Sequence, residues 1–98
     1  MAEVDVVAVI TARAGSEALV EETLTALAAK SRTDPGCLVY DLFASESVPG
    51  AFVTVERWES QEDLDAHMQA PHLAEALAAA GEHLEGFPAI HTLRSLSA

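Results

Sequence analysis

A short part of the chain, residues 52–72, holds most of the side chains that could carry out chemistry. We predict a β-strand over residues 51–59, in which successive side chains point to opposite faces. An inward-facing carboxylate on that strand, Glu56, is costly to bury unless it is paired. Glu56 therefore either binds the main chain or a histidine, as an anchor for a helix break at Pro71, or burial raises its pKa and makes it a base. The side chains that share its face are Phe52, Thr54 and Trp58.

Aromatic side chains near Glu56 are candidates for contact with an aromatic ligand. Trp58 offers a flat ring and an N–H donor, and the alternative is a large side chain that simply fills the space between strand and helix. Phe52, on the same face, is a candidate substrate contact. Tyr40, on the preceding predicted strand, either donates a hydrogen bond to a substrate or packs against its cross-strand neighbours.

Two histidines follow the strand. His67 shares one face of a predicted short helix with Leu64 and Met68, directed toward the sheet. The unperturbed pKa of histidine suits proton transfer near neutral pH, so His67 is a candidate base and Met68 a candidate substrate contact. The alternative is a buried histidine bonded to a backbone carbonyl or to Glu56. His72 opens the next helix, where it either caps the helix or closes a pocket.

Other reactive side chains lack a recognisable motif. His67 and His72 are five residues apart, but no cysteine or carboxylate pattern completes a zinc or iron site, so we predict no metal. His83 and His91 are expected at the surface or at an interface. Cys37 is the one cysteine, and a buried strand thiol is the better interpretation of it. The chain has no glycine-rich phosphate loop and no G-x-S-x-G nucleophile motif.

Composition excludes several classes of protein. Ninety-eight residues suffice for one domain, with half of them hydrophobic. Sixteen acidic and five basic residues give a net charge of −11, which disfavours nucleic acid and anionic membranes as partners. No apolar run approaches the ~20 residues that span a bilayer. The N-terminus lacks the basic segment of a secretory signal, so we expect the cytoplasm.

The first predicted strand, residues 4–11, is apolar on both faces. Val6, Ala8 and Ile10 alternate with Val7 and Val9. A strand of this kind is covered on both sides, yet one helical layer covers only one face of a sheet. A second copy of the chain is the simplest cover for the other face.

Turn and capping residues delimit the remaining elements. Ser16 is the predicted N-cap of a helix that ends near Arg32. Ser60 begins a near capping box, Pro71 suits the first turn of a further helix, and Gly86 marks its end. The order β-α-β-β-α-β, with the second helical section broken at Pro71, predicts an α+β, ferredoxin-like fold with a four-stranded antiparallel sheet. The predicted strands are residues 4–11, 37–44, 51–59 and 89–96.

Four segments in this order and spacing resemble the antibiotic-biosynthesis monooxygenase family. The family consists of small dimeric α/β-barrel proteins and includes quinol monooxygenases. The resemblance extends from Val6 to about Leu93. The segments that carry it are residues 34–41, 52–60, 64–67 and 71–72.

The resemblance implies a homodimer and a pocket between sheet and helices in each subunit. It also implies an oxygenase without metal, flavin or haem, in which an aromatic quinol or a polyketide-like phenol loses a proton and its anion passes an electron to O₂. His67, Trp58 and Glu56 are then the catalytic candidates, with Tyr40, Phe52, His72 and Met68 as substrate contacts. Haem-degrading relatives rely on an asparagine that is absent from this chain, which favours a quinol-type oxygenase.

Two further hypotheses stay open. The chain is alternatively a module that binds a small hydrophobic molecule without turnover, or a dimeric accessory scaffold. A cavity too small for one aromatic ring favours the scaffold.

Overall fold

The computed structural model of the protein describes residues 2–97. Four strands form one antiparallel sheet in the order β2-β3-β1-β4, which confirms the predicted ferredoxin-like fold. Within these residues no helix is long and apolar enough to cross a membrane. The elements are β1 (Val4–Thr11), α1 (Glu17–Ser31), β2 (Cys37–Ala44), β3 (Ala51–Trp58), α2 (Gln61–Met68), α3 (Pro71–Ala80) and β4 (Ala89–Leu93).

Strand alternation separates the two faces of the sheet, as the sequence predicts. Val6 and Ala8 of β1 and Thr54 and Glu56 of β3 are buried, whereas Val55 is exposed. The buried rows line up across the pairing of β1 with β3, in which Val6 lies opposite Glu56 and Ala8 opposite Thr54. This inner face therefore carries the core and the candidate site.

The helices cover the inner face and divide the core into two clusters. One centres on Ile10, Leu24 and Phe52. The other contains Tyr40 and Trp58 together with three apolar neighbours. At ~25 cal/mol per Å² of apolar surface removed from water, this burial is the main force that holds the helices on the sheet.

Two predicted boundaries are wrong because backbone pairing at the two ends of β1 determines where these segments end. Helix α3 ends at Ala80, not near Gly86, and is followed by a 3₁₀ turn over Gly81–His83. Leu84 then forms a β-bridge with Ala12. Strand β4 ends at Leu93, not at residue 96, since its pairing with β1 stops where that strand begins.

The predicted N-cap of α1 also differs in detail. Ser16 occupies the N-cap position, but its side chain makes no capping hydrogen bond. Its hydroxyl lies 2.9 Å from Nδ1 of His83 instead. The side chain of His83 is therefore bonded within the chain and joins the start of α1 to the 3₁₀ turn.

The outer face of the sheet is partly apolar and exposed. Phe43, Val9 and Val55 are 51%, 36% and 40% exposed. Phe43 lies opposite Val53 on β3, which in turn lies opposite Val9 on β1, so the apolar residues form a continuous row. Arg57, on the same face, donates to the Asp5 carboxylate at 2.8 Å within the chain. We call this surface the outer sheet face.

Gly36 is required where the turn before β2 meets the start of α2. Its φ is +78°, and a Cβ there would overlap the side chain of Asp63. We predict that Gly36→Ala lowers the free energy of unfolding by about 2–4 kcal/mol, from the left-handed backbone and the overlap together. Gly15→Ala is the matched control, since its φ is +91° with open space around it, and should cost only about 1 kcal/mol. Equal losses in urea denaturation would rule out the overlap.

Candidate functional site

A cavity of about 90 Å³ lies between the inner sheet face and the helices. Its walls are mainly apolar. Three of its lining side chains, Met68, Leu77 and Ile90, are themselves exposed and mark the edge at which the cavity approaches solvent. The polar side chains that line it are Tyr40, Thr54, Glu56 and His67.

Glu56 is held by two neighbours on its own strand. One carboxylate oxygen accepts a hydrogen bond from Thr54 Oγ1 at 2.7 Å and the other from Trp58 Nε1 at 3.1 Å. All three side chains share the buried face because they are two residues apart. The expected partners, the main chain or a histidine, are therefore wrong. Both oxygens already accept a hydrogen bond, so the geometry favours a structural role for Glu56 over that of a base, but the carboxylate anchors Thr54 and Trp58 on its own strand and not the helix break at Pro71.

His67 lies at the centre of the site. Its ring is 4.6 Å from the ring of Trp58 and 5.7 Å from that of Tyr40, measured between centroids. Its Nδ1 lies 2.9 Å from Oδ2 of Asp34, so the predicted backbone or Glu56 partner is wrong. An ionised carboxylate only accepts, so Nδ1–H donates and a neutral His67 carries its lone pair on Nε2. The ring is buried and lines the cavity.

Asp34 is a candidate site residue that the sequence did not reveal. Its Oδ2 also accepts a hydrogen bond from His72 Nε2 at 2.9 Å, so one oxygen serves both rings. The side chains of Asp34 and His72 are 14% and 18% exposed. Asp34 precedes Pro35 and Gly36 in a tight turn, a pattern that indicates only the turn. Its partner His67 is 33 residues away, beyond any local spacing signal.

The structure brings only some of the predicted residues to the cavity. Tyr40, Glu56, His67 and Met68 line it. Trp58 is fully buried against His67 and outside the lining, which supports its role as a packing residue. The two remaining predicted substrate contacts also lie elsewhere: Phe52 is in the hydrophobic core, and His72 is at a surface cleft with Asp34.

Burial raises the pKa values of two further ionisable groups near the site, Tyr40 and Cys37. Burial, reinforced by the charge of Glu56, raises the pKa of Tyr40 well above its ordinary value. The Tyr40 hydroxyl therefore stays protonated and can only serve as a donor or neutral acceptor. Burial and the nearby carboxylates of Asp34 and Glu56 raise the pKa of the Cys37 thiol, which makes it less reactive. Cys37 lies on β2 as predicted, but it is half-buried and not fully buried.

Comparison with known proteins defines the class. The sequence profile described as antibiotic biosynthesis monooxygenase matches residues 4–79. The chain belongs to this family, as the resemblance in the sequence predicted.

Solved structures agree along nearly the whole chain. Rv0793 from Mycobacterium tuberculosis is 31% identical with a TM-score of 0.89, over 99% of this chain and 98% of that one. PA3566 from Pseudomonas aeruginosa is 29% identical with a TM-score of 0.90, over 99% and 97%. A Caulobacter crescentus protein, provisionally described as an antibiotic biosynthesis monooxygenase, is 31% identical with a TM-score of 0.88, over 97% and 91%.

A curated relative matches over a shorter segment. The uncharacterized protein sll1783 of Synechocystis is 36% identical over 45 residues, or 46% of this chain. The aligned segment spans only 31% of the Synechocystis protein, so that relative supports similarity of a segment and no activity.

The chain has a single tyrosine, so its phenolate absorbance reports on Tyr40 alone. We predict that in the folded protein this absorbance appears only well above pH 10, whereas in urea it appears near the ordinary pKa of about 10. Since the folded state favours the protonated form, stability is complete below that pH and falls above it by up to about 1.4 kcal/mol per pH unit. Tyr40→Phe should show a shallower loss in urea denaturation at high pH. Ionisation near pH 10 in the folded protein would contradict the burial argument.

Proposed function

We propose that the chain is a cofactor-independent monooxygenase that oxidises a single-ring hydroquinone or a similar electron-rich phenol with O₂. The observation that carries this proposal is the His67 ring, which is buried at an apolar cavity and oriented by the Asp34 carboxylate. Membership of the antibiotic biosynthesis monooxygenase family supports the same reaction class.

The proposed reaction begins with proton removal. Nε2 of His67 takes a proton from the substrate hydroxyl, and Asp34 stabilises the imidazolium through the hydrogen bond to Nδ1, as in other carboxylate–histidine pairs. The Tyr40 hydroxyl lines the same cavity and can donate to the substrate oxygen. Apolar walls exclude water from the anion.

Oxidation of the anion requires no other redox group. The anion passes one electron to O₂, and the two radicals combine to a peroxide anion on a ring carbon. This anion takes the proton back from His67 and becomes a hydroperoxide. Loss of water from that carbon leaves a new carbonyl. For hydroquinone the balance is one molecule of O₂ consumed, with hydroxybenzoquinone and one molecule of water formed.

The size of the cavity restricts the substrate. A cavity of about 150 Å³ is known to admit benzene, and this one is about 90 Å³. One ring therefore enters only if side chains at the edge move, and Met68 and Leu77 are long, exposed and able to do so. Polycyclic phenols fit less well than a single ring.

The same small volume favours a second candidate function. If the edge side chains do not move, no aromatic ring is admitted, and the chain is an accessory scaffold. A cavity that opens without turnover would make it a module that binds a small hydrophobic molecule.

We predict O₂ uptake above the uncatalysed rate when metal-free protein is mixed with a panel of single-ring hydroquinones. His67→Gln should lower kcat by about 10²–10⁴-fold, since it removes the base, and Asp34→Asn should lower kcat more than it changes KM. His91→Gln, on the exposed β4, is the matched control with unchanged activity. Circular dichroism checks that each variant is folded.

The outcomes separate the three hypotheses. An unchanged rate in His67→Gln on every active substrate would remove His67 from the mechanism. Thermal stabilisation by a ligand without O₂ uptake would indicate a binding module. The absence of both O₂ uptake and thermal stabilisation would indicate a scaffold.

We further propose that the outer sheet face forms a homodimer, in which two sheets pack into a barrel. The exposed apolar row on this face supports the proposal, because monomers rarely expose a continuous apolar surface of this kind. Burying it against a second copy follows the usual two-fold arrangement of small homo-oligomers.

Light scattering after size exclusion should therefore give twice the 10.3 kDa of one chain. In a two-fold dimer, Val55→Glu places one carboxylate from each copy at the interface, where the like charges repel. Because the chain is already acidic, we expect the protein to shift toward monomer. Leu19→Glu on α1 is the matched control, because Leu19 is 41% exposed and Val55 is 40% exposed. A dimer that tolerates Val55→Glu, or dissociates equally with Leu19→Glu, would place the interface elsewhere.

A further inference from the structure

Three side chains from separate elements converge beside the cavity. Asp34 comes from the turn before β2, His67 from the last turn of α2, and His72 from the first turn of α3. One ligand-type atom of each, a carboxylate oxygen or an imidazole nitrogen, lies within 4.8 Å of the others. We propose that these three residues form a binding site for a divalent transition-metal ion of the zinc class.

The donor set suits such an ion. Two imidazole nitrogens and one carboxylate oxygen are ligands that zinc and its neighbours in the transition series accept. Within residues 2–97 no other three histidine, cysteine or acidic side chains bring their ligand atoms this close together. The sequence did not reveal it, because the carboxylate lies 33 residues before the first histidine.

Two of the three distances between the ligand atoms are already close to those around a coordinated ion. Oδ2 of Asp34 lies 2.9 Å from Nδ1 of His67 and 2.9 Å from Nε2 of His72. Tetrahedral zinc, with bonds of about 2.0–2.2 Å, holds its ligand atoms about 3.3–3.5 Å apart. The two oxygen–nitrogen pairs therefore need to separate by roughly half an ångström. The ring of His67 is already oriented by contact with Trp58.

The site is open on one side. Asp34, His67 and His72 line a surface cleft together with Asp63 and Gln69. An ion can enter from solvent, and a water molecule can complete the coordination that three protein ligands leave unfilled. The net charge of −11 raises the local concentration of cations around the chain.

The competing explanation is a hydrogen-bond network without metal. In that state each neutral ring donates an N–H to the same carboxylate oxygen, and all three groups are satisfied. Metal binding replaces these two protons with one dication. The two states make opposite predictions for metal titration, so they can be distinguished directly.

Metal binding would also change the chemistry of the cavity, a consequence that rests on the proposed function. With the ion on Nδ1 of His67, the proton of the neutral ring lies on Nε2. The lone pair that accepts the substrate proton is then lost. Zinc should accordingly inhibit O₂ uptake.

The test is calorimetric titration of tag-free, chelator-treated protein with Zn²⁺, together with the visible absorption spectrum of added Co²⁺. We expect one ion per chain and a tetrahedral Co²⁺ spectrum, with an increase in Tm on the order of 10 °C at a hundredfold excess over Kd. Asp34→Asn and His72→Gln should each weaken binding at least about tenfold. His91→Gln is the matched control with unchanged affinity, since His91 is an exposed histidine on β4.

His72 is partly exposed, so its replacement leaves the buried core in place and provides a folded variant even if Asp34→Asn unfolds. Absence of Zn²⁺ binding, or binding that neither Asp34→Asn nor His72→Gln weakens, would overturn the proposal. No substrate is present in the titration, so its result does not depend on whether the cavity catalyses an oxidation.

Discussion

The Asp34 carboxylate joins parts of the chain that the sheet does not connect. It accepts hydrogen bonds at 2.9 Å from His67 and His72, which lie on either side of the helix break at Pro71. The turn before β2 is thereby held against α2 and α3. The bond to Nδ1 also sets the tautomer of the neutral His67 ring, and the bond to Nε2 sets that of His72, so the architecture of this corner and the orientation of both rings depend on one side chain.

The carboxylates of Glu56 and Asp34 are stabilised by hydrogen bonds from different kinds of partner, and together they position His67. Glu56 accepts its hydrogen bonds from Thr54 and Trp58, neighbours that strand alternation places beside it. Trp58 is thereby oriented, and its ring packs against His67 from one side. Asp34 holds the Nδ1 edge of the same ring. A histidine restrained at its face and at one nitrogen has little freedom to leave the cavity, which is the preorganisation that proton transfer requires.

The two faces of the sheet serve different purposes because their residues alternate. The inner face carries the polar row of β3 and is closed by helices, and the outer face carries exposed apolar side chains. The helices bury the inner face within the chain, whereas the outer face stays exposed and is the surface that the proposed homodimer would bury. The cavity belongs to the first face, and side chains of α1 and α3 line it together with those of the sheet.

Much of the fold could be predicted from the sequence because the signals are local. The period of two in β3 assigned Glu56 and Val55 to opposite faces, and the turn and capping residues located α1 and α2 within a residue or two. The end of α3 could not be predicted, since the backbone after Ala80 pairs with the end of β1, far away in sequence. A local pattern carries no information about which distant strand edge is unpaired.

The candidate site divides in the same way. The local pattern was enough to place Glu56 and Trp58 on one face of β3 and His67 on the same face of α2 as Leu64, and the structure showed that these faces are buried. Three features of the site depend on how distant elements pack. Asp34 bonds His67 and His72, Trp58 lies outside the cavity lining, and the cavity is about 90 Å³. The physical reason is that a side chain's direction follows from the backbone period around it. Its partners and the space beside it depend on how separate elements pack against each other.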